Sequence, residues 1–130
     1  AKPVGTGQPE PMFSLPDSAE YYFVVNVLDP GVNLSSSRFG IGQFNRTNFA
    51  NGQIKHQLKN ISNQNQLIFT GSFYSLSSVK NYERNIIPLM RDIMKIPPEK
   101  YNTFVITKTG FEKLTNRALI TQYLDFYKQQ

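Results

Sequence analysis

The chain has 130 residues, 39% hydrophobic and 13% aromatic, which is enough for one domain with an apolar core and too apolar for a disordered chain. It has no cysteine and one histidine, His56, which excludes disulfides, thiol catalysis and metal sites built from several Cys or His ligands. No apolar run approaches the length of a membrane span, and any export signal is expected outside this sequence.

The formal net charge is +5, and the excess cations lie in one stretch. No Asp or Glu occurs from Pro30 to Tyr82, whereas the stretch carries five cations: Arg38, Arg46, Lys55, Lys59 and Lys80. Side-chain amides are also frequent there. Such a surface suits an acidic protein or an anionic or hydroxyl-rich polymer, and a solvated face that lacks acids is the simpler alternative.

The N-terminal segment is rich in Pro and Gly. Proline fixes φ and removes a backbone donor, so such a segment does not pack as a regular element. The sequence therefore predicts a flexible linker or tail over residues 1–18 and a single domain over residues 19–130.

The first half of the domain predicts three strands and one helix. Aromatic and β-branched residues over Glu20–Asp29 indicate a buried strand. Asn33 then caps a helix that reaches Asn48. Strands follow over Ile54–Ser62 and Gln66–Phe73, and the short polar connection between them predicts an antiparallel hairpin.

The second half begins with the strongest helical pattern of the chain. Ser75 is the expected N-cap, and apolar residues recur at helical spacing as far as Ile93. Pro88 lies inside this helix and is expected to kink it. The fourth strand is predicted over Tyr101–Thr107.

Two short helices are predicted after the fourth strand. Thr109 and Glu112 form a capping box for the first of them. The second covers about Arg117–Lys128 and has one apolar side, formed by Leu119, Ile120, Tyr123, Leu124 and Tyr127.

This order of elements predicts an α+β fold of the ferredoxin-like βαββαβ type, in which a four-stranded antiparallel sheet carries two helices on one face. The C-terminal helices are additions to that pattern. On the helix-covered face we expect Phe23, Val25, Val27, Phe69, Gly71, Phe104 and Ile106. The opposite face is either a binding platform or a surface that the terminal helices cover.

The candidate binding residues are polar or aromatic positions of that opposite face: Tyr22, Asn26, Lys55, Gln57, Lys59, Thr70 and Ser72. No catalytic residue, metal ligand or cofactor is expected. Capping or solvation explains the carboxylates, and His56 has no acid within about twenty residues of sequence to orient it. The chain is therefore not expected to be an enzyme.

Nucleic acid is not an expected partner, although this topology serves RNA-recognition modules. Such modules stack bases on aromatic side chains of the central strands. The third strand, QLIFTGSF, lacks the basic-Gly-aromatic pattern of those modules, and Ile68, Thr70 and Ser72 cannot stack on bases.

Three segments carry a family resemblance: FVITKTGFEKLTNRALITQYLDFYKQ (Phe104–Gln129), SFYSLSSVKNYERNI (Ser72–Ile86) and YYFVVNVLDPGVNLSSSRFGIGQFN (Tyr21–Asn45). Together they resemble the C-terminal domain of the PorW/SprE-type tetratricopeptide-repeat lipoproteins of Bacteroidota. The positions that match the family pattern near the end are Phe104, Val105, Ile106, Lys108, Phe111, Glu112, Leu114, Tyr123, Leu124, Phe126 and Tyr127. Pro88 and the glycines of the first helix depart from it.

The resemblance implies a periplasmic domain of a larger, outer-membrane-anchored cell-envelope protein that serves type IX secretion or gliding. It transfers no catalytic residue. We therefore expect a non-catalytic protein-protein interaction module whose partner is another envelope protein. The expected fold is also similar to that of SPOR domains, which bind glycan strands of peptidoglycan on the open sheet face, so peptidoglycan binding is the alternative.

Overall fold

The chain forms a mixture of strands and helices in a computed structural model that describes residues 13–49, 54–61 and 63–130. The strands are β1 (Tyr21–Val27), β2 (Lys55–Ile61), β3 (Asn65–Phe73) and β4 (Tyr101–Thr107). The helices are α1 (Ser35–Asn48), α2 (Leu76–Ile86), α3 (Met90–Met94), α4 (Lys108–Glu112) and α5 (Arg117–Lys128), with 3₁₀ turns at Ile87–Leu89 and Pro98–Lys100.

The four strands form one antiparallel sheet in the order β2-β3-β1-β4. The fold class is therefore α+β, as the sequence predicts, and the β2–β3 hairpin is confirmed. β1 and β3 are the central strands, while β2 and β4 form the two edges.

Helices α1, α2 and α3 cover one face of the sheet. β1 turns Phe23, Val25 and Val27 toward them, and these three side chains are at most 1% exposed. The helices contribute, among others, Ile41, Phe44, Val79, Tyr82, Ile86, Met90 and Met94 to this core.

Helices α4 and α5 cover the other face. The sheet contributes Val24, Leu67, Phe104 and Ile106 to a second core. The C-terminal helices and the turn between them contribute Phe111, Leu114, Ile120 and Tyr123. Both faces of the central strands are thus buried under helices.

The strand faces differ from the prediction in β3 and β4 by one residue. Ile68, Thr70 and Val105 lie opposite Val25 or Phe23 and so face the α1–α3 side, not the face that the sequence predicts. Phe69 and Phe104 lie opposite Val24 and face α4 and α5. A strand that is apolar on both sides carries no alternation from which its faces can be read.

Two predicted helix starts differ from the observed N-cap positions by one or two residues. Thr107, rather than Thr109, caps α4: its hydroxyl accepts a hydrogen bond from the Gly110 N–H at 2.9 Å. Asn33 accepts from the Ser35 N–H at 2.9 Å in the turn before α1, whose N-cap residue is Leu34.

The other helix signals are confirmed. Ser75 caps α2 by accepting from the Ser78 N–H at 3.1 Å. The 3₁₀ turn around Pro88 interrupts the helix between α2 and α3, as expected where proline removes a backbone donor.

The last residues of the expected tail lie against the domain. Phe13 is buried in the second core, in edge-to-face contact with Tyr123. The Pro16 carbonyl accepts from the Tyr21 hydroxyl, and the Asp17 carbonyl accepts from the Leu76 N–H at 2.9 Å. The earlier part of the expected tail, residues 1–12, lies outside the described residues. Among those described, no helix is both long and apolar enough to cross a membrane.

Candidate functional site

The sheet face that the sequence offers as a platform lies under α4 and α5. Tyr123 packs at the centre of this layer, with its ring 5.1 Å from that of Phe104. Its hydroxyl donates to the Val105 carbonyl, and the side chain is fully buried. The middle of this face is therefore closed to a partner.

Asn26, one of the candidate binding residues, belongs to a buried polar chain on this face. Its Oδ1 accepts from Asn65 Nδ2 at 2.7 Å, and its Nδ2 donates to Asn102 Oδ1 at 3.1 Å. Arg117 continues the chain by donating from Nε to Asn65 Oδ1 at 2.8 Å, and from Nη2 to the Leu28 carbonyl at 2.8 Å. These bonds fix the start of α5 to the sheet, so Asn26 has a structural role.

Thr70 is buried on the opposite, α1–α3 side of the sheet, where it is 1% exposed and hydrogen-bonds with Tyr82. Its assignment to an accessible binding face is wrong, because the register of β3 differs from the predicted one.

Tyr22 and Ser72 lie near one end of β1 and are partly buried. The Tyr22 ring packs 5.1 Å from Phe69 and 5.2 Å from Phe111, centroid to centroid. The Ser72 hydroxyl donates to a Glu20 carboxylate oxygen. Both side chains are thus engaged within the domain.

Lys55, Gln57 and Lys59 remain at an accessible place, the edge strand β2. Lys55 and Gln57 are exposed, while Lys59 is half-buried with its Nζ 5.0 Å from the centroid of the Phe111 ring. The outer edge of β2 has no neighbouring strand among the residues that the structure describes. Three of the seven candidate residues therefore lie together on one free edge.

A groove runs along this edge between α1 and β2. Its larger section has a volume of about 620 Å³ and is lined by Gly42, Asn45, Arg46, Phe49, Ile54, Lys55 and His56. A smaller adjoining section of about 350 Å³ shares Gly42, Arg46 and His56, and adds Ser35, Arg38 and Phe39. Phe39 is 64% exposed, an unusual setting for a phenylalanine.

The groove is cationic. None of its lining residues is acidic. In the described part of the chain, the single ion pair joins Lys80 and Glu83, so no cation of the groove has a carboxylate within 4 Å there. Burial, followed by the charges of Arg38 and Arg46, lowers the pKa of His56. The imidazole is therefore neutral near pH 7 and lies in a positive potential.

Gly42 allows the side chains of His56 and Arg46 to lie close to α1. A Cβ at this position would lie 3.1 Å from Cε1 of His56 and 3.4 Å from an Arg46 guanidinium nitrogen. The missing side chain lets the imidazole and the guanidinium approach the backbone of α1.

Asn45 lies at the buried wall of the groove and is 5% exposed. Its Oδ1 accepts from the Tyr82 hydroxyl at 2.6 Å, whereas its Nδ2 has no hydrogen-bond partner within the described ranges. A buried donor without a partner is costly, since it has given up its hydration.

The other edge of the sheet carries a groove of different character. It has a volume of about 560 Å³ and lies where β4 begins, beside the turn that contains Pro88. Its one cation, Arg91, is accompanied by one acid, Asp92. No group of three potential metal ligands occurs in the part of the chain that the structure describes.

Arg38 and Arg46 belong to the acid-free stretch, but the sequence alone does not place them in one site or bring His56 beside them. The available signal was the spacing of Arg38, Gly42 and Arg46, which puts two cations and a gap on one helical face. That His56 faces this gap depends on tertiary packing.

Comparison with known proteins adds no relative to this picture: no protein-family model, curated protein or solved structure matches the chain.

Proposed function

We propose that this domain is a non-catalytic protein-binding module that holds an extended acidic segment of a partner along the edge strand β2. The observation that carries the proposal is a free sheet edge whose cations lack carboxylate partners among the described residues. Lys55 and Lys59 belong to the strand, and Arg38 and Arg46 lie beside it on α1.

The backbone of β2 supplies the attachment. In an antiparallel sheet, alternate residues of an edge strand direct their N–H and C=O groups away from the sheet, where an added strand can pair with them. Main-chain hydrogen bonds of this kind give affinity without requiring a particular sequence, and the flanking side chains supply selectivity.

Charge selects the partner. Side chains of an added strand alternate between the α1 side, which carries arginines, and the side of Lys59 and Phe111. Exposed ion pairs add only about 0.2–1 kcal/mol each, so their main effects are on association rate and on rejection of cationic segments. The lysines also disfavour pairing of β2 with β2 of a second copy.

We also infer that the fold is of the ferredoxin-like type. The strand order β2-β3-β1-β4, with helices after β1 and β3 packed on the same face, supports this inference.

The setting of the module is proposed from the sequence resemblance alone. On that basis the partner is another envelope protein, and the parent is a periplasmic, outer-membrane-anchored protein of the secretion and gliding class. Peptidoglycan binding of the SPOR type would need the sheet face that α4 and α5 cover, and for this reason we favour a protein partner.

The proposal is tested by reversing charge on β2. Lys55→Glu with Lys59→Glu is expected to weaken capture of partner proteins from envelope extracts of the source cells while lowering the melting temperature only slightly. The matched control is Lys100→Glu with Lys128→Glu, which makes the same change in net charge at exposed positions outside β2.

The control double variant should capture the same proteins as the wild type. Retention of partners by the β2 variant, or a wild-type domain that captures none, contradicts the proposal. Co-sedimentation of the wild-type domain with purified peptidoglycan would favour the glycan alternative instead.

A further inference from the structure

We propose that the groove between α1 and β2 binds the C-terminal residue of the partner segment, with the free carboxylate among the α1 arginines and an apolar side chain against Phe49 and Ile54. This inference deepens the proposed function and rests on it. The ligand chemistry is a carboxylate attached to an apolar group.

The lining of the groove supplies both halves of this chemistry. Phe49 and Ile54 provide an apolar section, and Arg46 and His56 join it to the section that contains Arg38. An apolar C-terminal residue carries its side chain and its carboxylate on one Cα and so occupies both sections together. The volume of about 620 Å³ lies within the usual range of ligand pockets, which is about 300–1,000 Å³.

The direction of the added strand agrees with this placement. The groove lies at the start of β2, beside Ile54 and His56. A segment that extends the antiparallel sheet runs opposite to β2, and its C-terminal end therefore comes to the start of β2. An added strand that ends there puts its last residue at the groove.

Electrostatics orient the terminal residue within the groove. The carbonyl groups at the C-terminal end of α1 carry partial negative charge, which disfavours a carboxylate beside Phe49. Arg38 and the guanidinium of Arg46, which folds back toward Gly42, favour it away from that helix end and match a carboxylate in bidentate geometry. Asn45 Nδ2, a buried donor without a partner among the described residues, belongs to the wall of the larger section.

The test uses a minimal probe, so it does not require the partner. N-acetyl-L-leucine is titrated into the ¹⁵N-labelled domain to about 20 mM, a range that detects millimolar Kd values by amide chemical shifts. We expect saturable shifts at Gly42 and His56, and a rise in the pKa of the His56 imidazole on binding. N-acetyl-L-leucinamide, which lacks the charge, should bind at least about fivefold more weakly, because charge-assisted hydrogen bonds are the stronger kind.

Variants locate the carboxylate. Arg38→Gln and Arg46→Gln should each weaken N-acetyl-L-leucine binding about five- to tenfold, a loss between that of an exposed ion pair and that of a buried charge-assisted hydrogen bond. Arg84→Gln, at an exposed position of α2 outside the groove, is the matched control and should leave binding unchanged. Equal effects of all three variants would mean that net charge alone attracts the probe and would overturn the site.

Other small anions test whether the groove prefers a carboxylate that carries an apolar group. Acetate should bind more weakly than N-acetyl-L-leucine, because it lacks the apolar group. Absence of saturable shifts with N-acetyl-L-leucine, or tighter binding of inorganic phosphate at the same amides, overturns the assignment.

Failure of this inference is separable from failure of the proposed function. If N-acetyl-L-leucine binds but the Lys55→Glu, Lys59→Glu variant keeps its partners, then the groove is a carboxylate site and the edge-strand function is wrong. If the probe does not bind but the double variant loses its partners, the edge-strand function stands and the terminal-residue site is wrong.

Discussion

Replacement of Tyr123 by alanine tests the closure of the sheet face on which the functional argument depends. Tyr123 is fully buried between α5 and the sheet, in contact with the rings of Phe13 and Phe104, and its hydroxyl bonds to the Val105 carbonyl. Truncation of a buried aromatic side chain to alanine costs about 3–5 kcal/mol. Loss of the hydroxyl hydrogen bond accounts for about 1 kcal/mol, so Tyr123→Phe isolates that smaller part.

The assay is urea unfolding followed by circular dichroism, with melting temperature as a second measure. For a domain of this size, a loss of 4 kcal/mol corresponds to a decrease in Tm of about 15 °C. Tyr74→Ala is the matched control, because Tyr74 is 71% exposed and its removal should change the free energy of unfolding by less than about 0.5 kcal/mol. If Tyr123→Ala loses no more than Tyr74→Ala, then α5 does not hold this face closed and the open platform returns as the candidate site.

Two further predictions concern the strand register and the histidine of the groove. Ile68→Ala should lower the free energy of unfolding by about 2–5 kcal/mol, because Ile68 is fully buried. Phe69→Ala should lower it by less, because Phe69 is only partly buried against the ring of Phe111. Urea unfolding of both variants checks this, and a larger loss for Phe69→Ala than for Ile68→Ala would favour the strand faces that the sequence predicts. Burial and the two α1 arginines lower the pKa of His56 below 6.5, so the unfolded chain binds this proton more readily, and the free energy of unfolding should fall as pH decreases from 6.5 toward the folded-state pKa. His56→Gln should flatten the dependence between about pH 7 and 5, and an unchanged slope would contradict the lowered pKa.

The order and type of the elements were predictable because each carries a strong local pattern. The helical spacing that starts after Ser75 and the proline that interrupts it both correspond to observed features. β1 was also assigned to the correct face. These signals are local in sequence, so tertiary context changes them little.

The faces of the central strands were not predictable in the same way. Leu67 and Ile68 are both fully buried although they point to opposite sides, as are Phe104 and Val105. Alternation of polar and apolar residues disappears when helices cover both faces of a sheet. The remaining sequence signal for the second core was the apolar side of α5. An apolar helix side packs against another apolar surface, and the sheet face that α1–α3 leave uncovered is that surface.

The candidate site was only partly predictable, for a related reason. The prediction placed the binding residues on a sheet face, and of its seven residues three lie on the free edge of β2. The composition of the acid-free stretch predicted that the site is cationic, but it did not predict where in the fold the cations lie. Arg46 and His56 are ten residues apart in sequence, and only the packing of α1 against β2 brings them into one groove.

Because helices cover both faces of this sheet, its edges are the places where a partner can bind the sheet. An edge strand has backbone N–H and C=O groups that form no hydrogen bond with either helix layer. The two edges are not equivalent. The groove at β4 contains one cation and one acid. The charged residues that line the groove at β2 in the described part of the chain are all cations, and two strand lysines beside them oppose self-association. An acidic segment gains favourable charge only at β2, and a cationic segment is repelled there. The same charges that keep two copies apart therefore select the partner. Charge reversal at Lys55 and Lys59 is accordingly expected to weaken binding of an acidic segment, whereas two glutamates on β2 would still oppose pairing of this edge with a second copy.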